Sequence, residues 1–150
     1  MATCCSVVMS IIPEPLLSYR LDKKVNDIVK RCTEVGDCLL WPERSSQGKS
    51  SCTLDGYGRI RLSYPGLPGG SGIETTVHRA MFILLERRPD LIKNKSAGDI
   101  SHLCHKKRCV RRNHLVLESR SANMLRNECL GLEKCQCGQF PACIVSKGLV

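Results

Sequence analysis

The sequence predicts an α+β fold with a short antiparallel sheet, flanking helices and little regular core, stabilised by bound metal. The 150-residue chain is only 4% aromatic, so large side chains contribute little to a core. Its 11 cysteines include C-x4-C and C-x-C spacings, which suit metal ligands better than a disulfide framework. This length fits one compact domain. Within it, residues 1–35 are expected to form a helical extension, and residues 36–150 the part that binds metal.

Two helices are predicted from apolar periodicity and capping. Residues 18–32 form the first, with Ser18 as a possible N-cap. Its apolar stripe consists of Leu21, Val25, Ile28 and Cys32. Residues 76–88 form the second helix, with a threonine cap at position 75 or 76 and a stop at Pro89. Both helices are expected to pack against the rest of the domain.

A half-buried strand is predicted for "YGRIRLS", between two loops at residues 45–53 and 64–72. In this strand Ile60 and Leu62 alternate with arginines at positions 59 and 61. Because side chains alternate between the two faces of a strand, the arginines are expected on the open face.

The stretch "SHLCHKKRCVRRNHLVLESRSANMLRN", residues 101–127, holds three of the four histidines and the densest positive charge. Its seven lysines and arginines face one acid, so it carries +6 of the net charge of +9. Short strands near 100–103 and 115–118 should flank its loop, and a helix should follow over 119–127. Such a basic surface suits a polyanion, since displaced counterions drive binding. A merely solvated basic face is the alternative.

A first zinc site is predicted in this stretch, because zinc takes four thiolate or imidazole ligands in a tetrahedron. Three ligands follow a C-x4-C-x4-H spacing: Cys104, Cys109 and His114. Cys38, at a turn between a helix and a strand, is the first choice for the fourth, with Cys32 and Cys52 as rivals. The alternative is that the three side chains are buried without metal.

A second zinc site is predicted in the carboxyl-terminal segment. Four cysteines follow a C-x5-C-x-C-x5-C spacing there: Cys129, Cys135, Cys137 and Cys143. The segment is rich in glycine and has too little apolar surface to order itself, so a structural zinc would supply the missing folding energy.

Zinc ligation leaves His102 and Asn123 unused. His102 stands two residues before the first ligand, where a neutral imidazole could serve as a general base. The amide oxygen of Asn123 is a hard ligand suited to Mg²⁺, which prefers few protein ligands and substrate phosphate oxygens. Together they indicate a ββα–metal arrangement for phosphodiester hydrolysis. A structural histidine and an incidental asparagine are the alternatives, and His105 is expected at the surface.

The run "SHLCHKKRC", followed by "HL", "ES" and "RNEC", resembles the His-Cys box homing endonucleases. These belong to the ββα-metal (His-Me finger, HNH-like) nuclease superfamily. Upstream, "GDCLLW", "GYGRI" and "VHRAMFILL" resemble the segments that precede the box in related zinc-bearing HNH proteins. The resemblance covers about residues 36–143, and it implies a His-Cys box nuclease domain over residues 36–150.

The resemblance implies a role for each candidate residue. His102 matches the general base, and Asn123 the single protein ligand of a catalytic Mg²⁺. Arg61 falls where the family has an arginine reaching the scissile phosphate, and His78 is expected to buttress the site. Both predicted cysteine-rich sites match structural zinc sites of the family. The cations expected to contact the nucleic acid are Arg59, Lys106, Lys107, Arg108, Arg111 and Arg112.

Three features depart from the family pattern. The Asn-Pro that commonly precedes the box His-Leu is replaced by "RRN", and Cys137 stands in place of a histidine, which zinc accepts equally well. The sequence ends seven residues after Cys143. Because homing endonucleases of this type dimerise partly through long exchanged tails, both a monomer and a homodimer remain open.

The sequence therefore predicts a magnesium-dependent DNA endonuclease that leaves 5′-phosphate and 3′-hydroxyl ends. The expected partner is double-stranded DNA, with RNA as an alternative. A zinc-stabilised DNA- or RNA-binding protein without activity is the first rival, and a redox or metal-handling cysteine protein the second. No segment has membrane-span length or the form of a signal peptide. An intracellular location is expected, nuclear in a eukaryote.

Overall fold

A computed structural model describes residues 12–65, 72–129 and 134–144, and these form an α+β fold. The elements are α1 (Glu14–Val29), β1 (Thr33–Val35), β2 (Cys38–Leu40), β3 (Arg59–Leu62), β4 (Ile73–Thr76), α2 (Val77–Leu85), α3 (Asp90–Lys93), β5 (Asp99–His102), β6 (Leu115–Glu118) and α4 (Arg120–Asn127). The strands form three antiparallel pairs, β1–β2, β3–β4 and β5–β6. The predicted fold class is confirmed. None of the described helices has the length and hydrophobicity to cross a membrane.

Helix α1 begins at Glu14, earlier than the start predicted near Ser18. Pro13 holds the N-cap position and a second proline lies in the first turn. Proline is tolerated there because the first N–H groups of a helix have no partner within the helix. The helix ends at Val29 rather than at Cys32. It packs on α2 and buries Leu21 and Ile28 in the core.

The β3–β4 pair confirms the predicted alternation. Arg59 and Arg61 are exposed, whereas Leu62 is buried. Immediately before β3, Gly58 lies against the fully buried ring of Trp41. A β-carbon at position 58 would stand 2.7 Å from Trp41 Cδ1, so only glycine fits beside this ring. Of the predicted loop over residues 64–72, positions 66–71 lie outside the described residues.

Helix α2 is the centre of the hydrophobic core. It follows β4 directly, and all but one of the residues from Val77 to Leu84 are buried. This burial follows from its sequence, "VHRAMFILL", which is apolar on nearly every face. The helix ends at Leu85, before Pro89, and Arg87 then adopts a positive φ of 52°. The hydroxyl of Thr76, the N-cap, makes no capping hydrogen bond.

The β5–β6 hairpin and α4 form the ββα unit that the sequence predicts. In this hairpin Asp99 pairs with Glu118 and His102 with Leu115. Helix α4 follows at once, because the hydroxyl of Ser119 caps it by accepting a hydrogen bond from the Ala122 N–H at 3.2 Å. The helix packs against β5, which places residues of both elements beside one cleft.

Candidate active site and metal centres

The first candidate metal centre is the cluster predicted from the C-x4-C-x4-H spacing. Four ligand atoms lie within 4.8 Å of one another, and they belong to Cys38, Cys104, Cys109 and His114. Cys38 is thus the fourth member, and the rivals Cys32 and Cys52 do not belong to the cluster. The Cys32 thiol instead donates to the Ile28 carbonyl at 3.3 Å.

Backbone pairing between β2 and the loop of residues 103–114 that joins β5 to β6, here called the box loop, brings Cys38 to the other ligands. The Val110 N–H donates to the Leu39 carbonyl at 2.8 Å, and the Trp41 N–H donates to the Arg108 carbonyl at 2.9 Å. The strand that begins with Cys38 therefore lies alongside the loop segment that contains Cys109.

The spacing of the ligand atoms fits a tetrahedral zinc ion. The Sγ atoms of Cys38 and Cys109 lie 3.6 and 3.5 Å from His114 Nδ1. Zinc bonds of about 2.3 Å to sulfur and about 2.0 Å to nitrogen would separate these atoms by about 3.5 Å. A hydrogen bond from the Cys104 thiol outweighs burial and lowers the pKa of Cys109 to about 4. The residues present fit a structural zinc, because they fill all four positions.

The second cluster is formed by the four predicted cysteines of the carboxyl-terminal segment. The ligand atoms of Cys129, Cys135, Cys137 and Cys143 lie within 4.8 Å of one another. The Sγ of Cys137 lies 3.4 Å from that of Cys135 and 3.7 Å from that of Cys143. A tetrahedral zinc holds two thiolates about 3.8 Å apart, so this set also fits the ion. Residues 134–144 contain neither helix nor strand, so their order depends on such links.

A buried arginine connects the second cluster to the ββα unit. The guanidinium of Arg126 donates to both carboxylate oxygens of Glu118, at 3.0 and 2.8 Å. It also donates to the Pro141 carbonyl at 3.0 Å and to Cys143 Sγ at 3.3 Å. Burial opposes the ionised form of Glu118, but Arg126 holds the pKa of this carboxyl below its usual value. One cation therefore joins α4, β6 and the carboxyl-terminal segment.

Replacement of Arg126 by methionine is expected to lower the free energy of unfolding by about 3–5 kcal/mol, because Glu118 would remain buried without its counter-ion. Urea unfolding of the zinc-loaded protein would measure the loss. Arg120→Met is the matched control on the same helix, since the Arg120 side chain is 83% exposed. Adding Glu118→Leu to Arg126→Met should recover part of the loss. Equal stability of Arg126→Met and wild type would contradict the role of this ion pair.

A cleft of about 720 Å³ is lined by both residues that the sequence singled out for chemistry, His102 and Asn123. The predicted buttress His78 lines it as well. Among the lining residues that the sequence reasoning missed are Tyr57 and Asp99. Tyr57 is distant in sequence from the box, and Asp99, although on the strand of His102, meets Asn123 only through the packing of α4 on β5.

His102 is oriented by a backbone carbonyl of the box loop. Its Nε2 lies 3.0 Å from the Cys109 oxygen, which can only accept a hydrogen bond. Nε2 therefore carries the proton, and Nδ1 keeps the lone pair. Burial lowers the pKa of His102 below its ordinary value, although the carbonyl opposes this shift. The imidazole is thus neutral and oriented, as a general base requires.

His78 and Tyr57 form an aromatic wall beside His102. The His78 ring centroid lies 4.3 Å from that of His102 and 5.5 Å from that of Tyr57. Burial, together with the nearby His102, lowers the pKa of His78 well below its ordinary value. A neutral, packed ring at position 78 leaves the neighbouring imidazole little freedom to rotate.

Asn123 faces the cleft from α4. Its Nδ2 donates to Asp99 Oδ2 at 3.0 Å. Since the nitrogen end of the amide is held by this carboxylate, the oxygen is the end that remains for a cation. Asn127, one helical turn later, lines the same cleft.

The cations along the cleft differ in part from those expected. Arg61 lies on the exposed face of β3, opposite Glu74 in the strand register, and is not among the described residues that line the cleft. Arg79 and Lys107 do line it. The Arg79 guanidinium donates to the Leu91 carbonyl at 2.8 Å, which fixes its position. The role expected for Arg61 stays a prediction.

Three arginines of the box loop form ion pairs within the fold. The partners are distant in sequence: Arg108 with Glu43 at 3.0 Å, Arg111 with Glu34 at 3.2 Å, and Arg112 with Glu86. Arg59 lies 3.7 Å from Glu74, whereas Lys106 is exposed. His105, expected at the surface, is half-buried and lines the cleft. Much of the positive charge of the loop is therefore paired within the fold, although Glu43 and Glu34 are exposed, so these pairs add little stability.

Fold and site together define a zinc-binding ββα protein in which a half-buried histidine and a helical asparagine share a cleft. The family model of the zinc-binding loop region of homing endonucleases matches residues 37–147, so the chain belongs to this family. The predicted family is confirmed, and membership points to a nuclease-like function. Both cysteine-rich clusters lie within the matched range. Comparisons with curated proteins and with solved structures gave no significant match.

Proposed function

We propose that the protein is a magnesium-dependent DNA endonuclease that hydrolyses phosphodiester bonds. One observation carries the proposal: His102 and Asn123 line the same cleft, although neither belongs to a metal cluster that holds the fold. A protein that only bound DNA would need the clusters and the basic surface, but not an oriented base beside a cation ligand.

His102 is the general base of this mechanism. With Nε2–H held by the Cys109 carbonyl, Nδ1 accepts a proton from a water in the cleft. The resulting hydroxide attacks the phosphorus in line with the leaving oxygen. The same carbonyl accepts a stronger hydrogen bond once the ring is charged, which stabilises the imidazolium.

Asn123 would hold the divalent ion. Its amide oxygen would bind Mg²⁺, an ion that supplies charge stabilisation for the departing 3′ oxygen. Arg79 and Lys107 place positive charge along the cleft for the phosphate backbone. The water attacks the phosphorus opposite the 3′ oxygen, so the bond between phosphorus and this oxygen breaks. The products carry 5′-phosphate and 3′-hydroxyl ends.

Supercoiled plasmid tests the proposal. The zinc-loaded protein is expected to convert the plasmid to nicked or linear forms with Mg²⁺, and to leave it intact without added divalent ion. The ends should accept DNA ligase without prior phosphorylation, since they carry 5′-phosphates. A labelled RNA in a parallel reaction identifies the preferred nucleic acid.

Two other results would contradict the proposed nuclease activity. Retardation of the plasmid on a gel, without cleavage under Mg²⁺, Mn²⁺ or Ca²⁺, would overturn the proposal and leave a zinc-stabilised binding protein. Labile metal, with fewer than two zinc ions retained per chain in native mass spectrometry, would favour a metal-handling protein instead.

A further inference from the structure

We infer that Asp99 is a positioning residue that turns the Asn123 amide so that its oxygen, not its nitrogen, is available in the cleft. The inference rests on the proposed function, in which this oxygen takes the divalent cation. Asp99 plays no part in the proposed bond cleavage itself. It acts through Asn123, from the strand that also carries His102.

The chemical reason is the similar shape of the two ends of an asparagine amide. Only the oxygen can ligate a cation, whereas the nitrogen would point two hydrogens at it. A carboxylate is an acceptor only, so it selects the nitrogen end as its partner. The structure shows this arrangement: Asn123 Nδ2 donates a hydrogen bond to Asp99 Oδ2 at 3.0 Å.

The backbone around Asp99 is fixed on both sides. Asp99 pairs with Glu118 in the β5–β6 register. At Gly98, with φ of 132°, an added β-carbon would lie 2.7 Å from the Glu118 carbonyl oxygen. The Gly98 carbonyl also accepts a hydrogen bond from Arg79 at 3.4 Å. The carboxylate is thus held on a rigid strand, as the support of a ligand requires.

The other neighbour of Asp99 does not account for its placement. Arg120 approaches Asp99 Oδ2 at 3.7 Å, but its side chain is 83% exposed, so this ion pair contributes little. The Asp99 side chain is 28% exposed and lines the cleft beside Asn123. The hydrogen bond to the amide is therefore the specific interaction of this carboxylate.

Two measurements on the zinc-loaded full-length chain test the inference. The first is the side-chain amide signal of Asn123 in ¹⁵N–¹H spectra, assigned by its loss in Asn123→Asp. In the wild type its hydrogens should exchange slowly with water, and Asp99→Leu should abolish this protection. The second is the affinity for Mn²⁺ in the presence of duplex DNA, measured in the His102→Ala background by electron paramagnetic resonance of the free ion. Asp99→Leu should weaken it about tenfold to a hundredfold.

A second background separates positioning from direct ligation. Aspartate at position 123 has two equivalent oxygens and needs no orientation. In Asn123→Asp, the additional change Asp99→Leu should therefore leave Mn²⁺ affinity unchanged or raise it, because a like charge is removed. Arg120→Met is the control for the surface ion pair, and it should leave the Asn123 signal and the affinity unchanged.

If Asp99→Leu weakens Mn²⁺ binding both with Asn123 and with Asn123→Asp, Asp99 is a direct cation ligand and the inference is overturned. If Asp99→Leu leaves the Mn²⁺ affinity unchanged while Asn123 is retained, the inference is overturned as well. The same holds if the Asn123 amide hydrogens of the wild type are not protected from exchange. The plasmid assay is independent of these outcomes. A wild type that cleaves while Asp99→Leu binds Mn²⁺ normally refutes only the inference, whereas a wild type that never cleaves refutes the proposed function.

Discussion

Alanine in place of His102 is expected to slow plasmid cleavage about 10²- to 10⁴-fold, the usual contribution of a general base. The substitution should slow the chemical step of cleavage and leave DNA binding unchanged. The substitution removes no zinc ligand: the hydrogen bond that is lost is made to the backbone carbonyl of Cys109, whose thiolate stays in the first cluster, and the other contacts are with neighbouring rings. Retardation of the plasmid and the zinc content should therefore remain those of the wild type. Single-turnover cleavage at saturating Mg²⁺ measures the effect.

His105→Asn is the matched control for this experiment. His105 lines the same cleft and has a positive φ of 57°, a conformation that asparagine tolerates better than most residues. Its Nε2 has no hydrogen-bond partner among the described residues, unlike that of His102, so the variant should cleave close to the wild-type rate. A His102→Ala protein that binds DNA, retains zinc and still cleaves at the wild-type rate would remove His102 from the mechanism.

Removal of zinc is expected to unfold most of the described domain. Structural zinc sites contribute apparent binding free energies of about 10–16 kcal/mol at neutral pH, as large as the total stability of a typical domain, about 5–15 kcal/mol. The aromatic content of 4% leaves a small core to offset that loss. Far-ultraviolet circular dichroism during chelation should show the loss of helix, and added zinc should restore it.

Single cysteine variants separate the metal contribution from general damage. Cys109→Ser removes a ligand of the first cluster and should give a protein that is unfolded or retains one zinc ion fewer. Cys52→Ser is the control, because Cys52 is only half-buried and lies outside both clusters. A chelated protein that keeps its helical spectrum and its urea midpoint would contradict the structural role of zinc.

The sequence predicts those residues of the site that lie close to one another along the chain. Cys104, Cys109 and His114 lie within one loop, so their separation along the chain limits how far apart they can be. His102 follows from its position at the entrance of that loop. The alternation in β3 and the helix predicted over 119–127 are local as well, and both agree with the structure.

The parts that the sequence does not predict depend on contacts between distant segments. Asp99 reaches Asn123 across the strand–helix interface, and Tyr57 arrives from a loop before β3. Ion pairs such as Arg111 with Glu34 pair residues that no periodicity relates. For this reason the sequence predicts the loop arginines as phosphate contacts but does not predict their ion pairs with acids of the fold. The early start of α1 depends instead on two prolines, which are tolerated at the N-cap and in the first turn of a helix.

The position of Cys38 gives the two metal centres different places in the folding reaction. Residues 39–103 separate Cys38 from Cys104, so completing the first centre closes a long loop and requires β2 to have reached the box. The entropic cost of such a closure must be met before the contact exists. The second centre draws all four ligands from residues 129–143 and closes a short segment. Metal capture at the second centre is therefore a local event, whereas a filled first centre marks a chain whose distant halves have already met.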